Sequence, residues 1–360
     1  MTINGTLRKL SVLFLVIFFL LALTACEERP GVAAAAAETF PPAETASAQP
    51  TGTPTATPAP TATPTPTTTP APTPFSLAWM SDTQEYAANG ADIFCSMTQW
   101  IADSRGEWNT ILTVHTGDLI RGSYREYEWD NMKRAFALLP SDMMVITVGG
   151  NHDLFSYTED YTPYLWNRPD TDFDPSRATD DGLVYYVTFD ADGVRFLVLS
   201  VSYGCEVDAS GWINSVLAEY GDHYAILLLH DYLAPIGLSG SEFASAGKYL
   251  FGAVVEQNPN VRLVLCGHEH GDRYKCDEID DDGDGTPDRT VHQMMFNLQA
   301  EAEGGEGYLR ILRFDSAQDT IEAITYSPYL SDYGYDEKGG DGFGERHTLE
   351  NAGLRAYLTS

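Results

Sequence analysis

The chain has 360 residues, enough for one large or two ordinary domains, with 43% hydrophobic and 12% aromatic residues. Its formal net charge of −31 would be repelled by a nucleic-acid backbone and by anionic lipid, so neither is expected as a partner held by charge. That balance suits a solvated acidic surface that attracts divalent cations.

In chain order, Arg8 and Lys9 precede an apolar run over residues 10–23, followed by Thr24, Ala25 and Cys26. A basic start, a short apolar run and small residues before a break predict an export signal. The run is short for a bilayer span, and an uncleaved membrane anchor is the competing reading. Leu23-Thr24-Ala25-Cys26 resembles the lipobox of bacterial lipoproteins, which implies a signal peptide over 1–25, lipid on Cys26 and an extracytoplasmic, membrane-anchored protein. Residues 26–74 are dominated by Ala, Pro and Thr, a composition that cannot bury a core and favours extended chain, so they read as a disordered stalk. Cys95, Cys205, Cys266 and Cys276 remain; export permits disulfides, and their pairing stays open.

The rest, 75–360, reads as one domain with its core over 75–328 and a tail over 329–360. "FSLAWM", "TILTVHTG", "MMVITVGG", "VRFLVLSV", "YAILLLH" and "VRLVLCGH" are continuous apolar runs that stop at Gly or a polar turn, the pattern of buried strands. Helix-compatible spacing occupies 91–105, 127–138, 210–220 and 241–256. The alternation predicts a mostly parallel sheet covered by helices. From about Thr290, "RTVHQMMFNLQ", "GYLRILRFD" and "DTIEAITYS" look like antiparallel strands. The fold class is α/β or α+β, with strands in two packed layers.

Polar residues recur where strands end, the place where open α/β sheets bind ligands. Asp82 and Gln84 follow the first run, Asp118 the second, Asn151 and His152 the third. His230 follows "YAILLL", and His268 and His270 follow "VRLVLCG". One such residue is an ordinary turn; five strand ends in succession point to a site. His115 sits within a strand and reads as a hydrogen-bonded core histidine, whereas His223, His292 and His347 read as surface or hairpin residues. Carboxylate, amide and imidazole donors without a thiolate cluster suit Mn, Fe or Zn. Gly117, Gly149, Gly150 and Gly267 would let backbone turn sharply close to such ions.

In this order and context "SDTQ", "TGDL", "GGNHD", "LLLHDY" and "CGHEH" resemble the motifs of calcineurin-like metallophosphoesterases, and the resemblance covers about residues 75–328. It implies a two-layer mixed β-sandwich flanked by helices, with two divalent or trivalent metal ions at the strand ends. By the same resemblance Asp82 and His270 bind the first ion, with Gln84 where the family usually has His. Asp118 bridges, and Asn151, His230 and His268 complete the second site. By the same resemblance His152 is the acid that protonates the leaving oxygen or stabilises the phosphorane-like charge. The implied activity is hydrolysis of a phosphate mono- or diester, from a small molecule or the cell envelope, by a hydroxide shared between the ions. The alternative class is a non-catalytic surface module that keeps the fold and a metal; Gln84 is the one residue in its favour.

"DDDGDGTPD", Asp280 to Asp288, spaces Asp280, Asp282, Asp284 and Asp288 like a calcium loop, but an EF-hand would want Glu where Val291 stands. It reads first as an acidic hairpin turn. The Tyr-rich "LFSYTEDYTPYLW" and "YSPYLSDYGYDEK" are candidates for a substrate groove or for core packing. The chain contains no nucleophile elbow, P-loop or dinucleotide fingerprint.

Overall fold

Phe75–Met80 buries all six of its side chains, and this two-sided burial sets the architecture. Alternate residues point to opposite faces of a strand. Phe75, Leu77 and Trp79 therefore join a core between two sheets, while Ala78 and Met80 pack outward against helices. The computed structural model describes residues 72–154, 162–235, 241–333 and 346–359. The expected signal peptide, Cys26, nearly all of the stalk and parts of both Tyr-rich stretches lie outside the described residues.

The first sheet has β1 (Phe75–Met80), β2 (Thr110–His115) and β3 (Met144–Thr147) in parallel. The antiparallel strands β10 (Leu309–Asp315), β11 (Thr320–Tyr326) and β12 (Arg346–Leu349) extend it beyond β1. In the second sheet β5 (Val194–Val201), β6 (Tyr224–Leu229), β7 (Val261–Cys266) and β9 (Arg289–Asn297) are parallel. Antiparallel β4 (Val184–Ala191) and β8 (Gly271–Ile279) form its edges. The sheets are thus mixed rather than mostly parallel: the first has a parallel half that ends at β3 on its edge, the second a parallel centre. β4, β8 and β12 lie outside the apolar runs because they are edge strands, half exposed along their length and weakly patterned.

Short α1 (Gln84–Ala88) and the longer α2 (Asp92–Trp108) and α3 (Glu126–Phe136) cover the first sheet, with Phe94, Met97, Ile101, Trp129 and Met132 facing it. α2 stops at Asn109, which takes a left-handed conformation (φ 48°) and donates through Nδ2 to the Pro74 carbonyl at 2.9 Å. After α4 (Asn151–Leu154) and α5 (Thr162–Asn167), α6 (Ser210–Glu219) and α7 (Ser245–Leu250) cover the second sheet. α7 begins four residues later than the spacing suggests and runs into a π turn, Phe251–Val255. Among the described residues no helix is long and apolar enough to cross a membrane.

His292 is a residue of the β8–β9 hairpin, as one reading expected, but is buried rather than at the surface: it sits on β9, an interior strand between β7 and β8, with Nδ1 2.8 Å from the Tyr274 hydroxyl. His223 and His347 are half-buried. Cys95, Cys205, Cys266 and Cys276 all carry free thiols. The acidic run forms the turn of the β8–β9 hairpin. Asp280 accepts the backbone N–H groups of Gly283, Asp284 and Gly285, and Asp288 those of Asp281 and Asp282. Asp280, Asp282 and Asp288 come close enough together to share an ion, but all three are exposed and largely engaged by their own turn.

Candidate metal centre

The parallel strands of both sheets deliver their carboxyl ends to one place. The backbone there continues to pair past the strands: Asp82 donates to the Gly117 carbonyl, Val148 to His115, and Gly267 to His230, each at 2.9–3.0 Å. The polar side chains after β1, β2, β3, β6 and β7 are thereby held at fixed depth. Asp82, Asp118 and His268 have φ of 50°, 57° and 67°, a left-handed conformation that is costly for residues with a Cβ. Three such residues at one locus concentrate backbone strain at the strand ends.

The glycines explain how the segments fit. A Cβ at Gly150 would collide with the Asp118 side chain and its backbone nitrogen, and one at Gly267 with Asp82 and Ser81. Gly117, at φ 103°, has His230 Nδ1 against the place where its Cβ would be. Glycine is needed at these positions for close approach.

At the centre, Asp118, His230 and His268 bring ligand-capable atoms within 4.8 Å of one another. His230 Nδ1 lies 2.8 Å from the Thr116 carbonyl and must donate to it, because a carbonyl only accepts. That leaves Nε2 facing Asn151 Oδ1 at 2.9 Å, His268 Nδ1 at 3.1 Å and Asp118 Oδ1 at 3.4 Å. Lone pairs of four residues converge on one buried spot, an arrangement that needs a positive charge to hold it. Burial disfavours a charged His230, but the Asp118 carboxylate, with Asp82 behind it, outweighs burial and pushes the ring up to about 10. A proton there stands where a metal cation would do the same work.

The neighbouring groups show the same balance. Burial raises the Asp118 carboxyl, but His230 outweighs it and holds Asp118 below the usual carboxylate range. Burial raises Asp82 to about 7, with Asp118 adding to the rise against the opposing pull of His230. Burial, and then His230, lowers His268 to about 4. The residues fit a metal ion: oxygen and imidazole donors, buried, around an unbalanced carboxylate. One further buried oxygen, Gln84 Oε1, has no hydrogen-bond partner.

The remaining expected residues take graded positions. His152 donates its backbone N–H to Asp118 Oδ1 at 2.9 Å; its ring is partly exposed, with Nδ1 2.7 Å from the Arg121 carbonyl and Nε2 4.0 Å from Asp118 Oδ2. Asp82, almost fully buried, accepts the Ser81 hydroxyl and the His268 N–H. Gln84 turns its Nε2 to Asp118 Oδ2 at 3.2 Å. His270 is exposed and stands outside the tight group. His115 is a buried core histidine: it accepts the Gly117 N–H on Nδ1, contacts the Thr83 hydroxyl through Nε2, and is kept neutral by burial, at about 3.

Several residues that shape the site were not singled out from the sequence. Asp153 accepts the N–H groups of Leu119, Ile120 and Gly150 and so ties the loop after β2 to the loop after β3. It belongs to "GGNHD", so its signal was present. Tyr203 follows β5, a further strand end, and its ring centroid is 5.5 Å from that of His268. Asn297, the last residue of β9, and Gln299, just past it, contact the His268 carbonyl and Gln84, and nothing in "FNLQ" marks them.

The family model for calcineurin-like phosphoesterases matches residues 75–272, more than half of the chain. The chain belongs to that family. An "Uncharacterized protein YvnB" of Bacillus subtilis (strain 168) is 37% identical over 266 residues, 72% of this chain and 20% of that protein. The chain therefore spans about a fifth of that relative's length. Among solved structures, a purple acid phosphatase, PPD1, from yellow lupin (Lupinus luteus) seeds superposes with a TM-score of 0.54 at 14% identity, over 80% of this chain and 56% of that one. A dimetal phosphatase from Danio rerio gives 0.50 at 15%, over 77% of this chain and 99% of the other. At such identities these likenesses speak for the fold, which is the mixed two-sheet metallophosphoesterase fold.

Proposed function

We propose that this protein is a metal-dependent phosphoesterase whose site holds two ions and cleaves a phosphate mono- or diester. The observation that carries the reading is the convergence of Asp118 Oδ1, Asn151 Oδ1, His230 Nε2 and His268 Nδ1 on one buried spot. Asp118, Asn151, His230 and His268 would hold one ion; Asp82, His270 and the second oxygen of Asp118 would hold the other, with Gln84 beside them. Such ions supply Lewis acidity toward a phosphoryl group and make a water acidic enough to attack it near neutral pH.

The chain's own residues then orient and transfer protons. Thr116 fixes the His230 tautomer, so that Nε2 faces the ions. The His152 ring is held at Nδ1 by the Arg121 carbonyl, which leaves Nε2 as the atom that carries a proton to the leaving oxygen. The lipobox-like Leu23-Thr24-Ala25-Cys26, with the Pro/Thr/Ala-rich segment after it, supports a protein anchored outside the cytoplasm by lipid on Cys26 and acting on small-molecule or cell-envelope phosphoesters.

The test is turnover of p-nitrophenyl phosphate and bis-p-nitrophenyl phosphate by the full chain in detergent with added Mn2+. The expected result is activity on at least one ester, lowered about 10²–10⁴-fold in kcat by His152→Ala with metal content unchanged. Unchanged turnover in His152→Ala would remove the proton-transfer role. Two bound ions with no turnover on either ester would favour the non-catalytic module. For the location, Cys26→Ala is expected to lose fatty-acid labelling and leave the membrane fraction.

A further inference from the structure

Gln84 occupies the position where the family usually has a metal-binding imidazole, and the structure shows what holds it. Its Nε2 donates to Gln299 Oε1 at 2.6 Å as well as to Asp118 Oδ2 at 3.2 Å. Both amide protons are thus engaged, and Oε1 is left buried without a partner. Gln299 is itself fixed: its backbone N–H donates to Asn297 Oδ1 at 3.0 Å, and Asn297 Nδ2 donates to the His268 carbonyl at 2.8 Å. A chain of hydrogen bonds therefore runs from Gln84, after β1 of the first sheet, to the His268 loop, after β7 of the second.

We propose that Gln299 is a positioning residue that decides which atom Gln84 turns toward the first ion. The proposal rests on the two-ion reading above. An amide nitrogen has no lone pair to offer a cation, so Gln84 can ligate only through oxygen. An amide occupies nearly the same volume when its oxygen and nitrogen change places. Turning both amides over would keep the 2.6 Å hydrogen bond, with Gln299 now donating. It would also set Gln84 Oε1 where Nε2 now lies, 3.2 Å from Asp118 Oδ2. Two bare oxygens at that distance in a buried site repel each other unless a cation sits against both. A cation therefore favours the turned pair, and its loss favours the pair as it stands; an ion shifts an equilibrium by its differential affinity for the two states. Gln299 serves because a glutamine side chain can both accept and donate.

Isothermal titration of the metal-free full chain with Mn2+, together with elemental analysis, tests this without relying on turnover. Wild type should take up two ions of unequal affinity. Gln299→Met, which can neither accept nor donate, should weaken the looser ion about tenfold and leave the tighter one within twofold. Gln299→Asn, too short to reach, should do the same and serves if Gln299→Met folds poorly, as thermal unfolding would show. In a Gln84→Ala background the Gln299 substitutions should have no further effect. The proposal fails alone if wild type binds two ions and Gln299→Met and Gln299→Asn change neither, weaken both equally, or still act when Gln84 is Ala. Uptake of fewer than two ions by wild type would overturn the two-ion reading and this proposal with it.

Discussion

The two halves of the site are built differently. Asn151, His230 and His268 meet Asp118 in a tight group whose key ring is fully buried and fixed by the Thr116 carbonyl. Asp82, Gln84 and His270 do not close up in the same way: Gln84 is tied to Gln299 and His270 is exposed. The first half is closed by contacts among its own side chains around His230 Nε2. In the second, Asp82 is held by backbone pairing between strand ends, but Gln84 and His270 make no such side-chain contact with each other. The difference is between a half-site already assembled by its own side chains and one that, on the proposed two-ion reading, an ion would complete.

The largest break should come from Gly150→Ala, where the new Cβ strikes Asp118, the carboxylate proposed to serve both halves. It should abolish uptake of both ions and cost about 1–3 kcal/mol of stability, read by elemental analysis and thermal unfolding. Retained uptake would show that Asp118 does not serve both. Gly267→Ala should separate the halves, because its Cβ strikes Asp82 and Ser81. The looser ion is expected to be lost and the tighter one kept. Loss of both, or of neither, in a titration would contradict the assignment of Asp82.

A smaller effect in the opposite direction is expected from Gln84→His, which restores an imidazole to the weaker half. The looser ion should tighten about tenfold, and the change should be greater for Zn2+ than for Mn2+ because imidazole suits zinc. The smallest effect lies away from both halves, at His292. Burial lowers this ring to about 4 from an ordinary 6.5, so the folded chain holds it neutral where the unfolded chain would bind a proton. Its contribution to stability is therefore complete above about 6.5 and is lost as pH falls from there toward about 4. His292→Gln should flatten the decline of Tm across that window, and an unchanged slope would assign the acid sensitivity to other groups.

Much of this organisation was legible in the chain. Runs such as Phe75–Met80 and Tyr224–Leu229 announce strands buried on both faces, because only a layer covered on each side tolerates continuous apolar residues. The antiparallel edge strands were not legible, since alternating or half-polar stretches such as Gly271–Ile279 resemble loops. That His292 is buried within its hairpin was not legible for a related reason. Sequence neighbours cannot say that β9 lies between β7 and β8.

What the sequence determined by itself was the list of strand ends and the chemistry of each: carboxylate, amide or imidazole at the close of an apolar run. Those are local properties, set by side-chain type and by where hydrophobic pattern gives way to turn. Tertiary structure alone decided which of them share a proton-sized space, which way each ring and amide faces, and which stay open to solvent. It brought Gln299, 215 positions away in sequence, to the amide of Gln84. Such contacts depend on how two sheets stack and on where carbonyls such as that of Thr116 point, and no short stretch of sequence specifies either.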